Sequence, residues 1–350
     1  MIMALLDALL SLALLSCMAW GAMALAYRLP ASPMVRRLVI GLWLLASGLL
    51  LFLAWQGARL GPLGGMAVLM LGLLAWWRSL TPEKDLDWAE DVAHLATGEL
   101  DGDALTLHHV RHFDWHSRDE ATPAWEERRY DLRGLGSVDL FVSRWGRPGI
   151  AHVMVSFGFS EPPSAGVPAG DEGIDFVVFS VEVRRKEGER FSEIGGFFKQ
   201  YELAIIAADE RDAVRLRSNV RGEEVTLYHM DVSPETRREL LLSLVASANR
   251  LERQPRFYHT ITTNCTTLVY SLLTPIVPGL PLDHRLLLTG LLPGYIHEHG
   301  GFVDGYSLEQ LGRRGDITEP AREANDDPAF SRRIRVGVPG WESLAGSART

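Results

Sequence analysis

The sequence predicts an α+β domain preceded by three membrane-spanning helices. Two observations lead to that class. Apolar residues crowd positions 1–80 and then thin abruptly. Beyond them, short runs rich in β-branched and aromatic residues alternate with turn signals and end in two helical stretches.

Residues 2–27 are nearly all apolar, with Asp7 as their one charge, and two further runs, 38–56 and 62–77, follow after short breaks. The first two are long enough to cross a hydrocarbon core of roughly 30 Å, and the third is at the margin. Trp55, Trp76 and Trp77 fall where interfacial aromatics belong. A buried core hairpin is the alternative reading of these runs. No Lys or Arg precedes the first run, which argues against a cleaved signal peptide. Leu14-Leu15-Ser16-Cys17 only loosely resembles a lipoprotein cleavage site. The division expected is a membrane anchor over 1–80 and a soluble domain over 81–350. Arg28, Arg36, Arg37, Arg78 and Lys84 lie on one side of the membrane against Arg59 on the other, and that count alone puts the soluble domain in the cytoplasm.

Pro82 and the charged run Glu83–Asp85 read as the linker. Strands are expected over 104–116, 128–145, 150–159, 175–185, 201–212 and 223–230, with a Gly/Pro-rich loop at 161–173 joining the third and fourth. Residues 233–254 form a helix capped by Ser233, with Leu240, Leu241, Leu244, Val245 and Ala248 on its apolar face. A second helix begins near Cys265. The net charge of −9, without a basic patch, argues against a nucleic-acid partner. Two cysteines cannot make a disulfide framework.

Cys265 stands in the stretch FYHTITTNCTTLVYSLL, just behind the capping residues Thr262, Thr263 and Asn264. A helix N-terminus offers unpaired N–H groups and partial positive charge, so a thiol there ionises more readily, and the thiolate is the nucleophile. The competing reading is a buried structural cysteine. A nucleophilic thiol needs a base and a group to orient that base. His152 shares a strand face with Ile150, Met154 and Ser156, and Glu182 shares one with Ser180 and Arg184. Adjacent strands that turn these faces the same way bring His152 and Glu182 together. Otherwise His152 is a hydrogen-bonded core histidine and Glu182 an ion-pair partner of Arg184 or Arg185. His259 is the rival base.

His108, His112 and His116 lie on one strand face with Asp114. Alternate residues on a straight strand stand about 7 Å apart, too far to share an ion without a bulge, so no metal is expected. His297 and His299 flank Glu298 in a Gly-bounded loop and read as surface residues. The Gly195-Gly196 pair lacks the frame of a nucleotide loop. The charge run 208–224 reads as a solvated ion-pair network, with an anionic headgroup at Arg215, Arg217 and Arg221 as the alternative.

The segments AHVMVSFGF, FSVEVRR, GGFFKQYELAIIAADERD, RLRSNVRGEEVTLY, FYHTITTNCTT and LLPGYIHEHG resemble, in that order, the bacterial Lnb N-terminal periplasmic domain family over roughly residues 85–335. The resemblance implies a circularly permuted papain-like domain with an antiparallel sheet and a nucleophile-bearing helix. It also implies a periplasmic location at the inner membrane, against the charge count. Lnb itself is a lipoprotein N-acyltransferase, which implies a membrane-anchored cysteine acyltransferase acting on lipoprotein or lipid acyl esters. Cys265 then becomes the acyl-accepting nucleophile and His152 its general base, while Glu182 as the orienting group follows from strand parity. Asn264 is a candidate for the oxyanion, and Ser156, Arg184, Tyr201 and Glu202 are further candidates for oxyanion or substrate contacts. Membrane lipids and lipoproteins are the expected partners, with no cofactor. A cell-envelope peptidase or amidase and a non-catalytic membrane scaffold are the alternatives.

Overall fold

Residues 2–83, 86–146, 149–160, 173–277, 279–286 and 288–342 are described by a computed structural model. The expected linker residues Lys84 and Asp85, and residues 161–172 of the loop expected over 161–173, lie outside the described residues. The chain divides into two compact units.

The first unit contains Met1–Asp85, joined by Phe191–Glu202 and Arg256–Thr260 from later in the chain. Its body is three helices, α1 (Ile2–Arg28), α2 (Pro33–Trp55) and α3 (Leu60–Ser79), each long and apolar enough to cross a membrane. Ser32 caps α2 by accepting the Val35 N–H, and Pro33 occupies the first turn, where its missing N–H costs nothing. The Trp43 indole donates to the Met18 carbonyl at 2.9 Å, and an added Cβ at Gly21 would overlap that indole. Glycine is therefore what lets α1 and α2 approach there. Leu, Val and Phe side chains line the outward surfaces of all three helices, as a bilayer solvent requires.

The second unit contains Leu86–Arg190, Leu203–Pro255 and Ile261–Thr350. It is built on the strands β1 (Thr97–Asp101), β2 (Ala104–Arg111), β5 (Trp125–Asp131), β6 (Leu135–Arg144), β7 (Ala151–Ser160), β8 (Ile174–Arg184), β9 (Glu202–Asp209) and β10 (Glu224–His229), with β3 (Asp114–Trp115) and β4 (Ala121–Thr122) forming a separate ribbon. The sheet order is β1-β2-β9-β8-β7-β6-β10, and β5 also pairs with β2. The sheet is mixed, where a wholly antiparallel one was expected: β2 and β9 run parallel at Arg111 and Ala208. A parallel neighbour needs a long crossover, and the chain between these two strands supplies it.

Three expected strands break early. The pairing of β2 with β5 shifts register between Leu107 and Val110, where His109 takes a left-handed φ of 58°. A 3₁₀ turn at Leu132–Gly134, with Asp131 accepting the Arg133 N–H, separates β5 from β6. Asp209 ends β9 by capping the short helix α5 (Glu210–Arg215), after α4 (Glu193–Phe197) in chain order.

Helix α6 (Pro234–Arg253) matches its expected span, with Ser233 accepting the Thr236 N–H and Leu240, Leu241, Leu244, Val245, Ala248 and Leu251 buried. Each such leucine contributes about 1.5–3 kcal/mol by leaving water. Asn249 ties α6 to the edge of the sheet, its amide bonding both the N–H and the carbonyl of Gly98. Helix α7 (Cys265–Leu273) packs against β7 and β8. Short helices α8 (Leu292–Glu298), α9 (Leu308–Arg314), α10 (Thr318–Glu323) and α11 (Phe330–Arg333) complete the unit.

The segment after α11 is locked to the sheet by a buried charge cluster. Arg335, fully buried, bridges Asp139 on β6 at 2.8 Å and Glu210 on α5 at 2.6 Å, and lies 3.6 Å over the Phe176 ring. Ser156 donates to Glu210, while the Trp341 indole donates to Asp139 and His229 hydrogen-bonds it.

Candidate active site

Strand register creates the site. Strands β7 and β8 are antiparallel with Met154 opposite Ser180, so His152 and Glu182, two residues further along each strand, stand opposite one another. Because side chains alternate with period two, both point to the same face as Ser180. His152 Nε2 lies 2.7 Å from Ser180 Oγ and 3.1 Å from Glu182 Oε1. Ser180 donates its own proton to Glu182 Oε1 at 2.6 Å. The Ser180 oxygen therefore accepts from Nε2–H, which fixes the tautomer and leaves Nδ1 as the basic nitrogen.

A third charge backs the carboxylate. The mostly buried Arg217 guanidinium reaches the same Glu182 oxygen at 3.3 Å and Glu223 at 3.5 Å. Glu223 in turn accepts from Ser143, the residue opposite His152 on β6. A π-helical turn at Leu216–Val220 carries Arg217. Such turns are rare, and their wider spacing re-aims a side chain that an α-helix would point elsewhere.

The thiol is delivered by α7. Asn264 Oδ1 accepts the Thr266 and Thr267 N–H groups at 3.0 and 2.9 Å, and Thr267 Oγ1 accepts the Asn264 N–H, completing a reciprocal capping box. Of the four N–H groups at this helix start, the box uses three, and the Cys265 N–H is the one it does not use. The His152 ring and the Val153 N–H both act on the Cys265 thiol, and Thr289 Oγ1 lies 4.0 Å from the sulfur. Gly290 sets that threonine's place: its N–H donates to the Gly149 carbonyl, and a Cβ there would stand 2.9 Å from the Gly149 backbone.

The electrostatics oppose burial and overcome it. Burial pushes the Cys265 thiol up, but the hydrogen bond and charge of His152, the Val153 N–H and Thr289 bring it below the usual thiol value. Burial and the Arg217 charge push His152 down, and Glu182 with the thiol raise it above the ordinary imidazole value. Glu182 is pushed up by burial yet held well below the carboxylate range by His152, Arg217 and Ser180. Both shifts run toward the thiolate–imidazolium form, the state a nucleophilic thiol needs.

The other expected residues take different places. Arg184 donates to the Val92 and Ala93 carbonyls and lies over Trp88, and Arg185 pairs with Asp91, so Glu182 takes neither arginine. Ser156 belongs to the Arg335 cluster. Asn264 spends its amide oxygen on the helix cap. Tyr201 and Glu202 lie in the first unit, where the Tyr201 hydroxyl accepts the Ser192 N–H. His259 also lies there, edge-on to Phe197, and burial lowers its pKa. His108, His112 and His116 bond separately to Glu127, Glu126 and Thr122. His299 hydrogen-bonds the Tyr295 carbonyl at the end of α8. Sequence reasoning offered Arg217 only as a headgroup contact, did not foresee its pairing with Glu182, and missed Thr289. The first stood in a charge run with no sign of its turn, and the second carried no local signal at all.

Residues 121–290 match the Lnb N-terminal periplasmic domain family. The chain carries a domain of that family. The Lnb N-terminal match takes in His152, Ser180, Glu182, Arg217, Cys265 and Thr289, while Arg335 lies beyond it. No curated protein and no solved structure matches the chain. A periplasmic-domain family and three apolar N-terminal helices together fit an inner-membrane protein.

Proposed function

We propose that the protein is a membrane-anchored cysteine acyltransferase acting on lipoprotein or lipid acyl esters, with its soluble domain in the periplasm. The observation that carries this reading is the Cys265–His152–Glu182 chain of contacts at a capped helix start. The order of elements, with the base on β7 before the nucleophile on α7, supports a circularly permuted papain-like fold.

In the proposed cycle the Cys265 thiolate attacks an ester carbonyl and forms the C–S bond. The Cys265 N–H, at the positive end of α7, is placed to receive the oxyanion. The tetrahedral intermediate collapses with C–O cleavage, and the imidazolium gives its Nδ1 proton to the departing alcohol. An amine then attacks the thioester carbon, the C–N bond forms, C–S breaks, and His152 accepts the amine proton. Glu182 and Ser180 hold the ring in one tautomer throughout. Three apolar helices tether the domain to the bilayer, which raises the effective concentration of membrane acyl esters.

The test is intact mass spectrometry of the full-length protein in micelles with a diacylated lipoprotein peptide. The proposal expects an acyl adduct on Cys265 that hydroxylamine removes, absent in Cys265→Ser, and an N-acylated peptide product. A peptide cut at an amide bond without an acyl adduct would make the protein a peptidase. Full substrate turnover by Cys265→Ser would leave the thiol without a catalytic part.

A further inference from the structure

The first unit holds a set of contacts that the thiol chemistry does not use. Helices α1 and α3 run the same way across the membrane, so their ends at Arg28 and Ser79 emerge on one side. Trp20 and Trp77 meet edge to face at 5.3 Å near those ends, with Trp76 beside them at 6.2 Å from Trp77. That is an aromatic belt of the kind found at headgroup level. Phe198, from much later in the chain, is buried in the same belt, stacked on Tyr27 at 5.5 Å and standing 6.3 Å from Trp77. The segment around it is consequently fixed at the depth of the interface.

Lys199 follows in a left-handed conformation, φ 54°, which a residue with a side chain adopts only at a cost. The turn sends its ammonium to the Trp77 carbonyl at 2.7 Å, capping the end of α3. The same ammonium stands 5.2 Å from the centre of the Phe257 ring, and the Arg28 guanidinium stands 5.0 Å from it. Two cations thus share one aromatic ring. Arg28 reaches Glu83 at 4.0 Å, the outer limit of an ion pair. Burial and the Arg28 charge both push Lys199 below the usual lysine value. An ammonium has three N–H donors, and the Trp77 carbonyl uses one.

Beside these cations the chain exposes apolar side chains. Phe191, Ile194 and Phe197, spaced three apart, are 48, 52 and 37 % exposed. Large apolar groups are normally withdrawn from water, but next to an aromatic belt they have lipid as their solvent. Apolar groups immersed at the interface, with cations at headgroup level, are what an acidic phospholipid recognises.

We propose that Lys199 and Arg28 bind the phosphate of an anionic phospholipid, on an interfacial shelf formed by Phe191–Gln200 beside the ends of α1 and α3. The apolar side chains of the shelf lie among the acyl chains, and the phosphate sits between the two cations and relieves their repulsion. This reading is independent of the thiol chemistry and stands if the acyltransferase reading fails.

Native mass spectrometry of the full-length protein, released from mixed micelles of phosphatidylglycerol and phosphatidylcholine, tests it. Wild type is expected to retain phosphatidylglycerol in preference to phosphatidylcholine. Lys199→Gln is expected to retain about fivefold less, the loss of one cation near a membrane surface. Lys199→Arg keeps the charge and is expected to retain wild-type amounts. Equal retention of the two lipids by wild type, or equal phosphatidylglycerol on wild type and Lys199→Gln, would overturn the proposal. So would loss of the lipid in Lys199→Arg to the same extent as in Lys199→Gln. Release of phosphatidylglycerol by millimolar inorganic phosphate would overturn it in favour of a free-phosphate site.

Discussion

Glu182 Oε1 lies 3.1 Å from His152 Nε2 and 3.3 Å from the Arg217 guanidinium, so one carboxylate oxygen serves both the imidazole and its electrostatic counterweight. Arg217 holds the carboxylate ionised and in place, and its positive charge limits how far His152 is raised. Glu182→Gln keeps the size of the side chain and removes the charge. Its imidazole should titrate lower than in wild type and its thiol higher, and acyl transfer should fall by about 10²-fold or more, measured as single-turnover rate against pH.

The same carboxylate makes stability depend on pH. Its folded value is held well below the ordinary range, so its contribution is complete above that range and is lost as pH falls through the folded value. Denaturation of wild type and Glu182→Gln in urea from pH 7 down to pH 3 should show the wild-type advantage shrinking with acid. An advantage that grows as pH falls would contradict the assignment.

Asn264 acts through the helix cap, and two substitutions separate cap from chemistry. Asn264→Ala should cost about 1 kcal/mol in urea denaturation, the usual loss for a missing N-cap. Asn264→Asp should retain stability, because aspartate caps equally well. Yet it sets a carboxylate one residue from Cys265, so the thiol should titrate higher and react more slowly at neutral pH.

Arg335 is the strongest structural prediction outside the site. Arg335→Met leaves Asp139 and Glu210 buried without their shared cation, and should destabilise the domain by about 3–5 kcal/mol in urea denaturation. Its position beyond residue 290 means that a fragment cut at the end of the family match should fold poorly for the same reason.

Much of the site was legible because the sequence rules that apply there are strict ones. Period-two alternation gave the strand faces of His152 and Glu182, and their meeting followed on the condition that the two strands are neighbours turned the same way, while the capping residues before an apolar run placed Cys265 at a helix start. The strands over 104–116, 128–145 and 201–212 were read too long: the first stops at Arg111, and side-chain caps at Asp131 and Asp209 interrupt the other two, while the composition of all three runs stays strand-like. Asn264 read as an oxyanion donor, and its short side chain is closer to the N–H groups of its own helix. Arg217 and Arg335 were illegible as partners. Their roles come from a π turn and from pairing with residues far away in sequence, and neither leaves a local pattern. Phe198 and Lys199 belong to the same class, joined to the membrane helices only by tertiary contact.

The central claim is that His152 activates Cys265, and the alkylation rate of the thiol against pH tests it most directly. Full-length protein in detergent is labelled with an iodoacetamide probe, using Cys265→Ser to subtract Cys17. Wild type should show a midpoint below the ordinary thiol value of about 8.5. In His152→Ala, where burial acts on the thiol without the imidazole to offset it, the midpoint should rise above that value. An ordinary wild-type profile that His152→Ala leaves unchanged would return Cys265 to the core and remove the nucleophile from the account.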